Sequence, residues 1–245
     1  MTRPVLLITG VSSGVGLSLA RHLAGRFEVI GIARQADAAQ RALRDVSLAR
    51  VYNADLAEAD GLNACLDEII KCHGYPGYLI NNAGVNLPGR IDGLDAAQLS
   101  LSLQVNCLAP LAIMQRLLPA MASQDFGRVI NVTSGAPLNC FPGYAAYSAS
   151  KASLNAVTVT AAREYQDSNI RINLMSPGPV RSNMAPDAPM DPAGCHPTVD
   201  YLLDLPADGP TGRFFWLGYE IPLFPDLEGV QWLEGKAAGR FRRVL

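Results

Sequence analysis

The sequence predicts an α/β fold: one doubly wound domain with a mostly parallel sheet and helices on both faces. Three observations carry this. Short apolar runs alternate about six times with helical patterns across short connections, the arrangement that buries a parallel sheet between two helix layers. A glycine-rich turn closes the first run. The chain has 245 residues, within reach of a single α/β domain of up to ~250.

The elements follow in order. Val5 to Thr9 is an apolar strand ending at Gly10, and Leu17, Leu19, Ala20 and Leu23 recur on one helical face after it. Phe27 to Ala33 is a second strand leading into a polar helix over Ala36 to Asp45, and Leu48–Tyr52 is a weak third strand before Asp55. Leu62, Leu66, Ile69 and Ile70 mark a helix, Tyr78–Ile80 a strand, and Leu99 to Met121 one or two helices. Arg128–Val132 is a strand, about Tyr144 to Tyr165 a long helix, and Ile170 to Met175 the next strand. From Pro177 on, six prolines crowd ~20 residues, which breaks helices and suits a surface loop, with a short lid at about 179–192. A short helix over Val199 to Leu205 and a last strand over Gly212 to Leu217 complete the pattern, with no repeat and no second domain in residues 1–245.

Composition narrows the function. Charged residues are 17% of the chain, below the roughly 25% typical of soluble domains, and 49% is hydrophobic, which excludes a disordered chain. A net charge of −2 and a pI near 5.9 lack the basic footprint of a nucleic-acid binder. With no run of about 18 apolar residues and no signal-peptide pattern at the N-terminal VLLI, a soluble cytoplasmic protein without a membrane partner is expected. The histidines, His22, His73 and His196, are too dispersed for a metal site, so none is expected. Cys65, Cys72, Cys107, Cys140 and Cys195 are odd in number, lack a CxxC and read as buried reduced thiols. Lysine is rare, at Lys71, Lys151 and Lys236 alone, so a lysine inside a motif carries weight.

Thr9-Gly10-Val11-Ser12-Ser13-Gly14-Val15-Gly16 joins the first strand to the first helix. Gly10, Gly14 and Gly16 allow a tight turn and close approach to a pyrophosphate, while the amides of Ser12, Ser13 and Val15 and the helix dipole favour its charge. A plain strand-to-helix turn is the bland alternative; the position on the first strand of this alternation favours a Rossmann-type dinucleotide site. The second strand ends in Ala33-Arg34 with no carboxylate for a ribose hydroxyl, so Arg34 points to NADP(H) over NAD(H), unless it is only a solvated strand-end arginine.

Tyr147 and Lys151 are four apart on the long helix, so they share a face. A free phenol near pKa 10 is poorly matched to proton transfer at neutral pH; a nearby ammonium favours the phenolate, and a drop of ~3 units would correspond to roughly 4 kcal/mol. On the pair alone, an amphipathic surface tyrosine is the simpler reading.

Taken with the glycine motif, Asp55, Asn81-Asn82-Ala83-Gly84, Asn106, Ser134 and Pro177-Gly178, the pair makes residues 4 to about 182 resemble the short-chain dehydrogenase/reductase family in its common form of about 250 residues. The resemblance implies a catalytic tetrad: Tyr147 as general acid/base, Lys151 lowering its pKa and bonding the nicotinamide ribose, Ser134 positioning a carbonyl, and Asn106 holding a proton-relay water. A helix-interior amide bonding its own backbone is the alternative for Asn106. It further implies that Asp55 and Leu56 flank the adenine, that Asn82, Ala83 and Gly84 line the adenosine side, and that Pro177, Gly178 and Val180 approach the nicotinamide. Thr133 points away from the site, Tyr144 lies two turns from Lys151, and Asn81, Arg171 and Asn173 are read as structural.

Leu205 to Phe215 is similar to the carbonyl-reductase branch, and Pro137, Leu138, Cys140, Phe141, Met184 and Met190 would make a mostly apolar pocket, although the two methionines could equally pack on the surface. The expected activity is an NADP(H)-dependent carbonyl reductase or alcohol dehydrogenase acting on a small apolar ketone, aldehyde or alcohol, in a homo-oligomer (dimer or tetramer). The rivals are a reductase of a carrier-tethered or thioester-linked keto substrate and a nonenzymatic nicotinamide sensor or scaffold. Gly239 to Arg243 reads as a solvated tail.

Overall fold

A computed structural model describes residues 3–46, 49–225, 227–231, 233 and 236–240. In chain order the elements are β1 (Val5–Thr9), α1 (Gly14–Leu23), β2 (Glu28–Ala33), α2 (Ala36–Ala42), β3 (Ala49–Asn53), α3 (Ala59–His73), β4 (Tyr78–Asn81), α4 (Ala96–Leu103), α5 (Ala109–Ser123), β5 (Gly127–Val132), α6 (Ala136–Asn139), α7 (Ala145–Glu164), β6 (Ile170–Ser176), α8 (His196–Leu203), β7 (Phe214–Trp216), β8 (Tyr219–Ile221), β9 (Val230–Gln231) and β10 (Lys236–Ala237). The main sheet runs β3-β2-β1-β4-β5-β6-β7-β8, parallel throughout except for the antiparallel β7–β8 pair.

Alternation along each strand feeds two cores, because successive side chains leave opposite faces of a sheet. Leu6, Ile8, Val29 and Met175 pack with Leu19, Leu23, Val199 and Leu202 on one face. Leu7, Ile30, Leu79 and Ile172 pack with Leu66, Ile69, Ile113 and Leu117 on the other. Both faces are therefore covered, which is why the strands read as continuous apolar runs.

Several boundaries differ from the sequence reading. The second helix stops at Ala42, and Leu48, expected to open the third strand, lies outside the described residues. The helix expected from Leu99 starts at Ala96, capped by the Asp95 side chain, and α4 passes into α5 through a π-turn at Gln104–Leu108. By length and mean composition the stretch Ala96–Ser123 is apolar enough to cross a membrane, although Gln98, Gln104, Asn106, Gln115 and Arg116 interrupt it; 44% of the qualifying window is buried inside the fold. The last strand ends at Trp216, where Leu217 and Gly218, with φ of 46° and 84°, turn the chain back as β8. This turn needs positive φ at both central positions, which periodicity does not reveal. Cys65, Cys107 and Cys195 are buried as expected, whereas Cys72 and Cys140 are exposed because they sit on the solvent side of α3 and after α6. Of the expected tail, Phe241, Arg242 and Arg243 lie outside the described residues.

Candidate active site

The glycine turn is held from below by β4. Thr9 Oγ1 accepts hydrogen bonds from the backbone N–H of Asn82 and of Ala83, both at 3.0 Å, and Asn82 Nδ2 donates to Thr9 O at 2.9 Å. This packing leaves no room for a side chain: a Cβ on Gly16 would lie 2.2 Å from the carbonyl oxygen of Gly10, and Gly10 itself has a φ of 77°. At the start of α1 the Ser13 side chain makes no capping bond, and the first turn carries no acidic residue. The first-turn amides therefore keep their attraction for an anion. Gly14 meets Ser182 of the lid, so the lid is seated on the turn. Ser12 is exposed and Val15 buried.

Arg34 follows β2, is exposed, and makes no hydrogen bond or ion pair among the described residues. Asp55 spends one carboxylate oxygen on the N–H of Ala57 at 3.0 Å, which shapes the β3–α3 turn around buried Leu56. Gly84, expected with Asn82 and Ala83 on the adenosine side, lies against Asn106 and Lys151. A Cβ there would be 3.0 Å from Asn106 Oδ1 and 3.6 Å from Lys151 Nζ. The Asn82–Gly84 segment thus bridges the glycine turn and the tetrad.

Tyr147 and Lys151 project from the first turns of α7, with Nζ 5.9 Å from the phenol ring centroid. Lys151 is only 3% exposed, and Nζ donates to the carbonyl of Val132 at the end of β5 at 2.7 Å. Burial pulls its pKa from 10.5 down to about 8, partly opposed by the Cys107 thiol. Tyr147 departs from expectation. Burial raises its pKa, the neighbouring Ser134 hydroxyl opposes the rise, and Tyr144 adds to it. The phenol is therefore held neutral here, because desolvation penalises the phenolate and the ammonium is tied to a carbonyl.

Ser134 follows β5 and accepts from the Ala136 N–H at 3.1 Å. Asn106 lies within the π-turn, fully buried. Its Oδ1 accepts from Val85 N at 2.8 Å, and its Nδ2 donates to Val85 O at 2.8 Å and to Ser150 Oγ at 2.9 Å. Both amide protons are used, so the side chain supports the loop after Gly84 and does not bond its own helix. Ser150, which the sequence reading passed over, continues the chain by donating to Tyr147 O at 2.8 Å. The only sequence signal for it was its place beside Lys151.

Thr133 donates to Asn155 of α7 at 2.6 Å. Asn81 bonds Asn131 across β4–β5, and Asn173 and Arg171 hold the 209–213 loop. Pro177 and Gly178 follow β6, and buried Val180 bridges Met190. Leu138, Phe141 and Met184 are exposed, while Met190 packs against the core. A cleft of about 380 Å³ lined by Thr198, Tyr201, Phe215 and Glu220 lies between α8 and the β7–β8 hairpin, away from the tetrad. Among the described residues no group of three His, Cys, Asp or Glu side chains is placed to hold a metal ion.

An open parallel sheet, an uncapped glycine turn at its first switch and a Ser–Tyr–Lys cluster at the C-terminal strand ends define a nucleotide-binding oxidoreductase fold. The family model for short chain dehydrogenase matches residues 4–192, and the chain belongs to that family. It is 29% identical over 194 residues to dehydrogenase/reductase SDR family member 7B of Mus musculus, covering 75% of this chain and 60% of the relative. It is 29% identical over 184 residues to the 3-oxoacyl-[acyl-carrier-protein] reductase FabG of Staphylococcus epidermidis, covering 73% and 75%. The chain thus spans about 60% of the length of the first curated relatives it matches. A metagenomic short-chain oxidoreductase solved in complex with NADP superposes with a TM-score of 0.75 at 28% identity, over 91% of this chain and 99% of that one. Other solved structures of similar fold are complexes with NADH.

Proposed function

We propose that the chain is an NADP(H)-dependent reductase of small, mostly apolar ketones or aldehydes, and the corresponding alcohol dehydrogenase in reverse. The convergence of Ser134, Tyr147 and Lys151 beside Gly84 carries the reading. The glycine cradle fits a dinucleotide pyrophosphate: Gly10 and Gly16 admit close approach, and the α1 amides face it. Arg34, without a hydrogen-bond or ion-pair partner among the described residues, follows β2 and supports a 2′-phosphate there. A nicotinamide bound at this site supplies or accepts the hydride.

The remaining work falls to the chain. The Ser134 hydroxyl positions the carbonyl oxygen. Tyr147, kept neutral by burial, donates its proton to that oxygen as reduction proceeds and takes it back from an alcohol in oxidation. Lys151, charged below about pH 8, stabilises the phenolate left behind. Asn106 and Ser150 position the α7 N-terminus and the Gly84 loop.

The test is Tyr147→Phe: turnover of ketones is expected to fall by ~10³-fold or more while NADPH binding, followed by fluorescence, persists. Near wild-type rates would end the proposal. A second reading, a substrate tethered to a carrier protein, is favoured by the likeness to the 3-oxoacyl-[acyl-carrier-protein] reductase and by the short lid. Comparing NADPH oxidation on free ketones and on tethered 3-oxoacyl thioesters separates the two.

A further inference from the structure

We infer that Trp216 is a specificity-determining residue, forming with Met190 the distal wall of the substrate pocket and favouring a flat aryl group on the carbonyl carbon. The inference rests on the reading of Ser134 and Tyr147 as the carbonyl site.

Trp216 ends β7 in register with Ser176, the last residue of β6. Side chains at paired positions of neighbouring strands share a face, so the indole is delivered beside the segment that begins at Pro177. Its closeness is visible at Gly178, where a Cβ would lie 3.4 Å from Trp216 Nε1 and 2.9 Å from Met190 Sδ. Gly178 is thus clasped between the lid and the indole, and its φ of 82° fits the same crowding. Along the sheet's C-terminal edge, Ser134, Gly178 and Trp216 cap the adjacent strands β5, β6 and β7. Ligands of open α/β sheets bind at that edge.

Both partners are held in place. Met190 donates its N–H to Pro179 O at 3.2 Å, and its carbonyl accepts from Arg181 N at 2.8 Å. The hairpin turn after Trp216 is tied to α8 by Gly218 N donating to Thr198 Oγ1 at 2.9 Å, and the Tyr219 ring lies 6.4 Å from the indole. Even so, Trp216 stays 39% exposed, and its Nε1–H meets no protein acceptor among the described residues. Phe215, the preceding residue, packs into the core on which Met190 also rests, so the alternation of β7 dedicates one aromatic to that core and leaves the indole outside it at the strand end. A rigid, half-exposed indole beside an apolar thioether offers stacking and S–aromatic contact to a flat ring and less to a puckered one.

The experiment uses the full chain with Trp232→Phe, which makes Trp216 the sole tryptophan. Acetophenone and cyclohexyl methyl ketone, matched in size, are titrated with NADPH present. Acetophenone is expected to quench Trp216 fluorescence saturably. Trp216→Leu should raise the KM ratio of acetophenone to the cyclohexyl ketone about fivefold with kcat little changed, and Trp216→Phe should restore the ratio. Thermal melting of each variant reports folding. Absence of quenching, or an unchanged KM ratio in folded Trp216→Leu, overturns the assignment. Repeating the titration in a Tyr147→Phe background separates the two readings. Quenching without turnover upholds both; quenching with undiminished turnover sinks the Tyr147 mechanism and leaves Trp216 as a ligand contact; turnover lost without quenching sinks Trp216 alone.

Discussion

Lys151→Met in the cofactor-free chain isolates what the buried ammonium costs the fold. Lys151 is 3% exposed, and burial moves its pKa from 10.5 to about 8. That displacement corresponds to about 3 kcal/mol by which the folded state disfavours the charged form at neutral pH. Methionine keeps most of the apolar stem but leaves the Val132 carbonyl without the 2.7 Å hydrogen bond, a loss of about 1–2 kcal/mol. The variant is therefore expected to be more stable than wild type by about 1–2 kcal/mol at pH 7, a rise in Tm of roughly 2–8 °C for a chain of this size. Its turnover should be lost.

The pH dependence has a definite sign. Between about 8 and 10.5 the unfolded lysine holds a proton that the folded one has released, so wild-type stability rises with pH relative to the variant. The advantage of Lys151→Met should shrink across that window and reverse near its upper end, where only the lost hydrogen bond to Val132 still separates the two proteins. Urea unfolding of both proteins at pH 7 and pH 10 measures the difference. A variant less stable than wild type at pH 7, or a gap unchanged by pH, would refute the reasoning. A confirmed gap would mean that Lys151 is kept at the expense of stability.

Gly16→Ala places a methyl 2.2 Å from the Gly10 carbonyl oxygen and should cost about 1–3 kcal/mol in urea unfolding while abolishing NADPH binding by calorimetry; unimpaired binding would disprove the cradle. Arg34→Ala should reduce the preference for NADPH over NADH by roughly 10–100-fold in kcat/KM, and an unchanged ratio means that Arg34 does not read the phosphate. Because burial raises the Tyr147 pKa, alcohol oxidation should climb through the alkaline range while carbonyl reduction stays level past neutrality; an oxidation plateau below pH 7 contradicts that assignment. His196, stacked on His22 with ring centroids 4.1 Å apart and bonded to Ser18, has a pKa lowered by burial and by His22 against the pull of Asp200 and Asp191. Below the unfolded value of about 6.5 the unfolded chain takes up a proton that the native one resists, so stability falls with acid; in His196→Gln that limb of a Tm–pH curve should flatten.

The strand–helix alternation, the glycine turn and the Tyr147–Lys151 spacing were legible in the chain because each depends on covalent periodicity over a few residues: two along a strand, about 3.6 along a helix. Local reading reached the site as a set of names. It failed where a side chain's role is set by a distant neighbour. The partners of the Asn106 side chain, Val85 and Ser150, lie 21 and 44 residues away along the chain. The spacing of Tyr147 and Lys151 suggested a lowered phenol pKa, but burial, a property of the packed whole, raised it and depressed the lysine instead.

The order of residues along the chain is enough to specify a doubly wound α/β domain with a glycine turn on its first strand and a tyrosine–lysine pair on one helix. The tertiary structure decided how those parts meet. Strand order carries Asn82 to Gly84 under both the glycine turn and the lysine, and pairing β6 with β7 sets Trp216 beside Gly178, 38 residues earlier in the chain. The physical reason is that turns and helix faces arise from neighbours along the chain. Desolvation, hydrogen-bond partners and pocket walls arise from whichever segments the sheet brings side by side.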